Sequence, residues 1–323
     1  MKDKGTIFLA GGGGFIGKHF REMAAVKGYR VFVLSRSKPD LFSNEVLVNG
    51  SFDKMNNLIL PDRDIDFVVN LAGEKRNTNR MRAVNVDAVS ELINFTLSLN
   101  KARFIHMGSA GVYGIEHQNE ACISEKSAVY PVNEYEKTKL EADLLIMKKA
   151  SENNLDYVIL RPTNVFGSNE PGFKLLNLIR AIKNGRFFLI DPNAMVNYIG
   201  VKSVCKSVFD AFMIIKSGII CNVNAACRIS EFSNLIVEAT QTEHKRIRTV
   251  SPVFNFFFKI ACRIGDFLPM KYQVINSGKY RELTDYRFID SGLLTKQSGR
   301  DLQIELKEEI NELVQHYQNK NLL

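Results

Sequence analysis

Along the first half of the chain, segments with the apolar pattern of a strand alternate with segments with the apolar pattern of a helix. Short β-branched and apolar runs, typical of buried strands, are separated by longer stretches with apolar residues at helical spacing, including residues 15–26, 80–100 and 134–152. The predicted strands are TIFL, YRVFVLSRS, EVLVNGSF, IDFVVNLAG, ARFIHMGSAGVYG and DYVILRPTNVFG. This alternation predicts an α/β fold, a doubly wound parallel sheet with ligands at the carboxyl ends of its strands.

A run of glycines, AGGGGFIGKHF, joins the first predicted strand to the first predicted helix. Its flanks argue against a flexible linker. Gly11, Gly14 and Gly17 are spaced G-x-x-G-x-x-G, and glycines at such a turn permit close approach of a pyrophosphate and tight packing of the helix on the strand. Phe15 and Ile16 open the helix, whose free N–H groups favour a phosphate. The turn therefore predicts dinucleotide binding.

The second half of the chain is less regular. Residues 198–224 have the pattern of a helix and a strand that return to the main sheet. We predict a dinucleotide-binding domain over residues 1–167, completed by that return. Residues 168–323 are predicted to form a smaller mixed α/β substrate-binding domain, with the active site in the cleft between the two.

Composition and charge limit the classes of function. The chain of 323 residues carries a net charge of +8, which suits anionic ligands or surfaces or serves solubility alone. The cysteines form no C-x-x-C pair and no metal-binding spacing, and they indicate a reducing compartment; they are Cys122, Cys205, Cys221, Cys227 and Cys262. We expect no metal, no nucleic-acid partner, no signal peptide and no membrane-spanning helix.

A tyrosine and a lysine share one face of a predicted helix. In NEYEKTKLEADLLI, Tyr135 and Lys139 are four residues apart, and Asn133 with Glu136 matches a capping box. A neighbouring ammonium favours the phenolate, so we expect the pKa of Tyr135 to be lowered. The alternative is an ordinary amphipathic helix with a surface tyrosine and lysine.

Ser109 lies at the end of the fifth predicted strand, in GSAGVYG. The glycine turn, NLAGEK, GSAGVYG, Tyr135-x-x-x-Lys139 and RPTNVFG follow one another over nearly the whole first half. In this order they resemble the extended short-chain dehydrogenases/reductases, in the branch of NAD-dependent sugar epimerases, reductases and dehydratases. The resemblance implies a Rossmann-type fold. It further implies that Tyr135 exchanges a proton with a sugar oxygen, that Ser109 binds the same oxygen, and that Lys139 holds the nicotinamide ribose.

The resemblance also assigns further binding positions. Phe52 matches a position beside the adenine, Lys75 one near the phosphates, and Asn85 one that supports the site. Asn164 matches a position that contacts the sugar diphosphate in related epimerases, and it is a predicted substrate-binding residue together with Ser109. The remaining cofactor-lining positions implied are Leu71, Ala72, Gly73 and Pro162.

Three departures from the family pattern narrow the function. Ala110 and Gly111 stand where sugar 4,6-dehydratases carry an acid pair, which argues against dehydration. Ser35 and Arg36 replace the carboxylate that selects NAD, so Arg36 favours a 2′-phosphate or stacks on the adenine, and the cofactor is NAD or NADP. Asn197, preceded by valine, replaces an arginine of UDP-sugar epimerases, so uridine recognition is not supported.

The leading hypothesis is an NAD(P)-dependent 4-epimerase of a diphosphate-linked sugar, carried by a nucleotide or a polyprenyl chain, in surface polysaccharide biosynthesis. The alternatives are an NADPH-dependent 4-keto-sugar reductase and a non-catalytic NAD(P)-binding sensor. Residues 252–270 predict a wide apolar helix face, which either packs internally or makes a peripheral membrane contact. Family analogy implies a homodimer. A cytoplasmic location is predicted, with the inner membrane face as its alternative.

Overall fold

The structure is a computed structural model that describes residues 4–37, 39–99, 101–172, 174–214, 216–242, 247–267 and 276–323. Its strands are β1 Thr6–Ala10, β2 Arg30–Ser35, β3 Glu45–Asn49, β4 Phe67–Asn70, β5 Arg103–Met107, β6 Cys122–Ile123, β7 Tyr157–Pro162, β8 Asn164–Phe166, β9 Phe188–Leu189, β10 Met195–Val196, β11 Tyr198–Gly200, β12 Ile219–Val223, β13 Cys227–Arg228, β14 Arg248–Thr249 and β15 Phe288–Ile289. Its α-helices are α1 Phe15–Lys27, α2 Thr78–Arg82, α3 Ala88–Leu97, α4 Glu134–Asn153, α5 Lys174–Lys183, α6 Val201–Met213, α7 Ile229–Ala239, α8 Pro252–Gly265, α9 Ser277–Glu282, α10 Gly292–Ser298 and α11 Leu302–Asn319.

Seven parallel strands form the central sheet in the order β12-β7-β5-β4-β1-β2-β3. The chain runs outward from β1 through β2 to β3, then restarts at β4 and runs the other way. The direction therefore reverses between β1 and β4, where a doubly wound sheet opens a crevice for ligands. The predicted Rossmann-type α/β fold is confirmed.

Successive side chains of the central strands face two separate cores, as the alternation along a strand requires. In β1, Ile7 and Leu9 belong to the core that also contains α6 and α11. Phe8 and Ala10 belong to the opposite core, with residues of α3 and α4. All four side chains are fully buried, which is why β1 appears in the sequence as an uninterrupted apolar run.

Two predicted elements are divided in the structure. The segment DYVILRPTNVFG forms two strands, because β7 ends at Pro162 and β8 pairs with β11 outside the main sheet. Thr163 lies between the two strands. Its N–H donates to Val223 O at 3.1 Å, and its hydroxyl donates to Asn224 Oδ1 at 2.8 Å. The helix predicted over 80–100 consists of α2, a π-helical turn Ala83–Asp87 and α3, and its last residue lies outside the described residues.

The C-terminal half is built of helices and two-stranded pairings, but parts of it join the main sheet. β12 extends the sheet beside β7, and α6 packs against α1. Leu306, Ile310 and Leu313 of α11 lie in the same core as Ile7. The boundary at residue 167 stays a prediction. Across the described ranges, no helix combines the length and hydropathy needed to cross a bilayer.

Candidate active site

The glycine turn is packed so closely that two of its positions exclude a side chain. Gly11 has φ +84°, and a Cβ built there would lie 2.4 Å from the main-chain nitrogen of Ala72. A Cβ on Gly17 would lie 2.2 Å from Gly11 O, and Gly14 N donates to that same oxygen at 3.0 Å. A Cβ on Gly13, by contrast, would meet no atom within 4 Å. The turn thus leaves open space at its tip.

The first helical turn of α1 follows this space. Its N-cap is Gly14, which offers no side chain to satisfy the free N–H groups, and the half-buried side chains of Phe15 and Ile16 pack into the core. The open N–H groups and the positive end of the helix dipole suit a pyrophosphate. The residues present therefore fit a dinucleotide cofactor.

The adenine side of the predicted cofactor site lies at the end of β2. Ser35 is half-buried, and its Oγ accepts from Ser37 N at 3.3 Å. Arg36 is exposed. Phe52 is half-buried at the start of a 3₁₀ turn, Phe52–Asn57, and packs against the core that contains Phe32. Ser35, Arg36 and Phe52 keep their cofactor roles as predictions.

The loop after β4 brings the glycine turn to the predicted catalytic lysine. Leu71 N donates to Ala10 O at 2.9 Å, and Ala72 N donates to the side-chain oxygen of Asn70 at 3.0 Å. A Cβ on Gly73 would lie 3.4 Å from Lys139 Nζ. Leu71, Ala72 and Gly73 thus form a continuous floor from the glycine turn to Lys139.

Asn85 is buried in the π-helical turn, and both the oxygen and the nitrogen of its side-chain amide form hydrogen bonds. Its Oδ1 accepts from Glu74 N at 2.8 Å, and its Nδ2 donates to Glu74 O and to Thr138 Oγ1, each at 3.0 Å. Thr138 Oγ1 in turn donates to Tyr135 O at 3.0 Å. Asn85 therefore fastens the loop after β4 to α4, in keeping with its predicted supporting role. Such π turns are frequent at functional sites.

Tyr135 occupies the first turn of α4. The predicted capping box is confirmed, because Asn133 Oδ1 accepts from Glu136 N at 3.0 Å while the Glu136 carboxylate accepts from Asn133 N. Ser109 Oγ accepts from Gly111 N at 3.2 Å, and the Ser109 side chain lies close enough to the Tyr135 hydroxyl to lower its pKa. Ser109, Tyr135 and Lys139 thus come together at the carboxyl end of β5.

The prediction that the pKa of Tyr135 is lowered is wrong. Burial raises the pKa of Tyr135 above its ordinary value; the Ser109 hydrogen bond lowers it, and Glu136 and Asp143 raise it further. The buried Lys139 Nζ donates to Met107 O at 2.8 Å, and burial lowers its pKa to about 8, partly opposed by Asp143. Spacing along a helix could not show how strongly burial and these carboxylates act on the pair.

Lys75 lies beside Tyr135, and its predicted place near the cofactor phosphates stays a prediction. Its ammonium stands over the Tyr135 ring, 5.4 Å from the ring centroid, and the side chain is exposed. The family resemblance placed it beside the cofactor phosphates. A cation over the face of an aromatic ring is attracted by the ring's electron density. Lys75 is thus the ammonium that faces the tyrosine ring directly.

A buried polar network behind Lys139 was missed by the sequence analysis. Asp143, one turn after Lys139, accepts from Arg161 Nε at 2.9 Å, and Arg161 also donates to Tyr113 Oη at 2.9 Å. The remaining oxygen of Asp143 lies 3.9 Å from His106 Nε2. Burial, then Lys139, lowers the pKa of His106 well below its ordinary value, so the imidazole is neutral. The four-residue spacing from Lys139 to Asp143 was the one available signal.

The substrate side is formed by residues that follow β7. Pro162 is buried, whereas Asn164 is exposed and donates from Nδ2 to Asn197 O at 3.1 Å. The Asn197 side chain is engaged internally, since its Oδ1 accepts from Asn224 Nδ2 at 2.8 Å and from Ile289 N at 2.9 Å. Asn197 therefore binds the C-terminal segment and offers no positive charge to a diphosphate.

The two positions of the missing dehydratase pair carry no acid. Ala110 is buried, and a Cβ on Gly111 would lie 3.0 Å from Glu136 Cγ. Glu136 is the nearby carboxylate, but it is engaged by Val132 N and by the cap at Asn133. Elsewhere in the described ranges, no three His, Cys, Asp or Glu side chains are grouped to hold a metal ion.

Curated relatives match parts of the chain. A dTDP-6-deoxy-L-talose 4-dehydrogenase (NAD(P)(+)) from Kitasatospora kifunensis is 31% identical over 183 residues, covering 54% of this chain and 57% of its own length. The chain spans about half or less of the curated relatives that match it first.

Two solved structures share the fold over almost the whole chain. A UDP-N-acetylglucosamine 4-epimerase from Methanobrevibacter ruminantium M1, in complex with UDP-N-acetylmuramic acid, has a TM-score of 0.71 and 21% identity, covering 99% of this chain and 100% of that one. A UDP-glucose 4-epimerase from Thermotoga maritima has a TM-score of 0.70 and 19% identity, covering 98% and 99%.

The family model described as "NAD dependent epimerase/dehydratase family" matches residues 7–206, from β1 into α6. That range contains the glycine turn, Ser109, Tyr135 and Lys139. The predicted resemblance, the prediction of an enzyme of this family and the predicted cofactor class, NAD or NADP, are confirmed. The chain belongs to the NAD-dependent epimerase/dehydratase family of extended short-chain dehydrogenases/reductases.

Proposed function

We propose that the chain is an NAD(P)-dependent 4-epimerase of a diphosphate-activated sugar. The observation that carries the proposal is the convergence of Ser109, Tyr135 and Lys139 at the carboxyl end of β5, beside the floor formed by residues 71–73. This edge of the sheet faces the crevice where doubly wound folds bind their ligands. A purely structural role would not require a tyrosine hydroxyl and a buried ammonium at this edge.

The raised pKa of Tyr135 defines its role. At neutral pH the phenol is protonated, so Tyr135 gives its proton to a ketone oxygen at C4 and takes it back when the alcohol is oxidised. Ser109 hydrogen-bonds the same sugar oxygen and holds it in reach. The nicotinamide ring, when bound, supplies the acceptor and donor of the C4 hydride.

Lys139 and Lys75, the ammonium groups near Tyr135, have different roles in the proposal. Lys139, fixed by Met107 O, holds the nicotinamide ribose. Lys75, over the Tyr135 ring, stabilises the phenolate that forms when Tyr135 has given up its proton. Asn164, exposed at the start of β8, contacts the sugar diphosphate.

A second candidate is an NADPH-dependent 4-keto-sugar reductase. It is favoured by Arg36, which is exposed at the end of β2 and can pair with a 2′-phosphate. The Kitasatospora relative, a 4-dehydrogenase named for NAD(P)(+), also supports a single oxidation or reduction. A protonated Tyr135 serves this reaction equally well.

The pathway we propose is surface glycan assembly. It is supported by the Low-salt glycan biosynthesis protein Agl12 of Haloferax volcanii, 24% identical over 76% of this chain. A cytoplasmic location is supported by the five cysteines, all of which are free thiols. Fractionation of cells that express the tagged protein would show whether the chain leaves the cytoplasm.

We further propose a homodimer formed through α3 and α4. Leu97, Leu144 and Met147 of these helices are 37%, 54% and 41% exposed, and apolar side chains on adjacent helices suit a partner surface. Sedimentation of the wild type against Leu144→Asp tests this. A wild-type monomer would contradict it.

The deciding experiment identifies the bound nucleotide. Freshly purified protein is denatured, the released nucleotide is identified by mass, and the emptied protein is titrated with NAD and NADPH. Retained NAD supports the epimerase, which must keep its cofactor through both half-reactions. An empty site with a preference for NADPH supports the reductase.

Turnover is then tested on UDP- and dTDP-sugars and their 4-keto derivatives, with Tyr135→Phe as the variant. We expect Tyr135→Phe to bind nucleotide normally and lose turnover. Full activity of that variant would show that Tyr135 does not transfer the proton. Nucleotide binding with no turnover by the wild type on any of these sugars would favour the sensor.

A further inference from the structure

One face of α8 carries large apolar side chains that nothing in the described chain covers. Val253, Phe256, Phe257 and Ile264 are 66%, 62%, 63% and 61% exposed. In a helical projection they fall with Ile260 on one continuous side of α8. Phe267, two residues beyond the end of the helix, is 91% exposed. We propose that this apolar face docks the protein on an anionic lipid bilayer.

The opposite face of α8 is packed against the protein. Phe254 and Phe258 lie edge-on to Phe188 of β9, with ring centroids 5.5 and 6.4 Å apart. Cys262 is fully buried, and Asn255 accepts a hydrogen bond from Tyr280 Oη at 2.9 Å. The helix is thus fixed in place by one side and presents its other side outward.

Basic residues border the apolar face. Lys259 and Arg263 follow Phe256 by three and seven residues, which places them beside it on the helix surface, and both are exposed. The Lys259 ammonium lies over the Tyr280 ring, 5.6 Å from the ring centroid, so Arg263 is the cation nearer to the apolar face. The carboxylate on this helix end, Asp266, is engaged by Ser277, which donates from its N–H at 2.9 Å and its hydroxyl at 2.6 Å. Exposed cations next to exposed aromatics complement anionic headgroups above acyl chains.

The dimensions favour a helix that lies in the interface. α8 has 14 residues, about 21 Å at 1.5 Å per residue, against about 30 Å for the hydrocarbon core of a bilayer. The apolar side chains of this face are exposed on the helix surface. A bilayer accepts such projecting side chains to a depth of about 5–10 Å. Residues 268–270 of the predicted contact lie outside the described residues.

This proposal is independent of the proposed function, because it concerns a surface and holds for either carrier of the sugar. Its first test uses the absence of tryptophan from the chain. Phe257→Trp introduces one fluorophore at the apolar face. The control is Ile59→Trp, at a residue that is 91% exposed and lies on the first half of the chain. Both variants are made in the 323-residue chain.

Each variant is mixed with vesicles of phosphatidylcholine alone and of phosphatidylcholine with phosphatidylglycerol. We expect the emission of Phe257→Trp to shift to the blue with the anionic vesicles and to be quenched by bromines on the acyl chains. Ile59→Trp should show neither effect. No shift at position 257, or equal shifts at both positions, would overturn the proposal.

Sedimentation with the same vesicles gives a second readout. Phe256→Ser with Phe257→Ser should lower the partition coefficient at least about tenfold, and Val26→Ser with Ile59→Ser, both exposed apolar positions, should leave it unchanged. Lys259→Glu with Arg263→Glu should remove the preference for anionic lipid, unlike Lys101→Glu with Lys296→Glu. Unfolding curves of the serine variant should match the wild type, because the replaced side chains are exposed.

A second copy of the chain is the competing occupant. Analytical ultracentrifugation without lipid decides between them. A wild-type oligomer that Phe256→Ser with Phe257→Ser dissociates would overturn the membrane proposal in favour of self-association through α8. An unchanged oligomeric state, together with vesicle binding, supports it.

Discussion

Lys139 Nζ donates to the main-chain carbonyl of Met107 at 2.8 Å, at the carboxyl end of β5. The bond ties the second turn of α4 to the sheet and holds the ammonium beside Gly73. A single neutral acceptor does not offset the loss of water around a buried charge. Burial accordingly lowers the pKa of Lys139 to about 8.

This shift makes stability depend on pH in a defined window. Between about pH 8 and 10.5 the unfolded chain keeps the Lys139 proton that the folded chain has released. The unfolding free energy should therefore rise with pH across this window, by up to about 3 kcal/mol from this group. Urea unfolding of the wild type and Lys139→Met at pH 7.5, 8.5 and 9.5 measures the difference. Parallel pH dependence in both proteins would contradict the assignment.

Loss of the Ser109 hydroxyl should act on Tyr135. In alcohol oxidation the Tyr135 phenolate accepts the proton, so activity should rise with pH as the phenolate forms. Because the Ser109 interaction lowers the pKa of Tyr135, Ser109→Ala should move this ascending limb of the kcat/KM profile to higher pH. Activity should fall about 10²-fold. Ser151→Ala, which removes a hydroxyl bonded to Lys148 O on the exposed part of α4, is the control. A profile displaced to lower pH would show that the bond acts in the opposite sense.

The glycine turn offers a matched pair of substitutions. Gly17→Ala places a Cβ 2.2 Å from Gly11 O, whereas Gly13→Ala meets no atom within 4 Å. Gly17→Ala should lower the unfolding free energy by about 1–3 kcal/mol and weaken cofactor binding. Gly13→Ala should leave the unfolding free energy of the empty protein within about 0.5 kcal/mol. Urea unfolding measures both, and equal losses would mean that the close packing at Gly17 is not what matters.

Arg36 should decide between the two dinucleotides. Arg36→Ala removes an exposed guanidinium at the end of β2, and a charge-assisted bond to a 2′-phosphate is worth about 1.5–3 kcal/mol. NADPH affinity should fall about tenfold or more, with NAD affinity unchanged. Calorimetric titration of both cofactors checks this, with Arg186→Ala as the control. Equal losses for NAD and NADPH would indicate stacking of Arg36 on the adenine.

The features that the sequence predicted correctly depend on residues that are close together along the chain. The glycine turn follows from one strand, one turn and one helix, and the capping box at Asn133 and Glu136 involves residues three apart. The seven-strand sheet followed from alternating periods. The shared face of Tyr135 and Lys139 was equally available from spacing, because α4 is regular over both.

The features that the sequence analysis missed depend on contacts between residues that are far apart along the chain. Asn85 meets Thr138 across 53 residues, and Arg161 meets Tyr113 across 48. The burial that raises the pKa of Tyr135 is a property of the packed site, so its direction was predicted wrongly. The break at Thr163 depends on Val223 and Asn224, which arrive only when β12 joins the sheet.

Because β12 returns to the main sheet, the two halves of this chain cannot be separated into independent folding units. A chain cut after residue 167 would leave the β7 edge bare, because Ile219 to Val223 normally cover it. It would also remove α6 and α11 from the core around Ile7. Recombination at that point should therefore yield insoluble fragments. Such a chain should unfold as one cooperative unit.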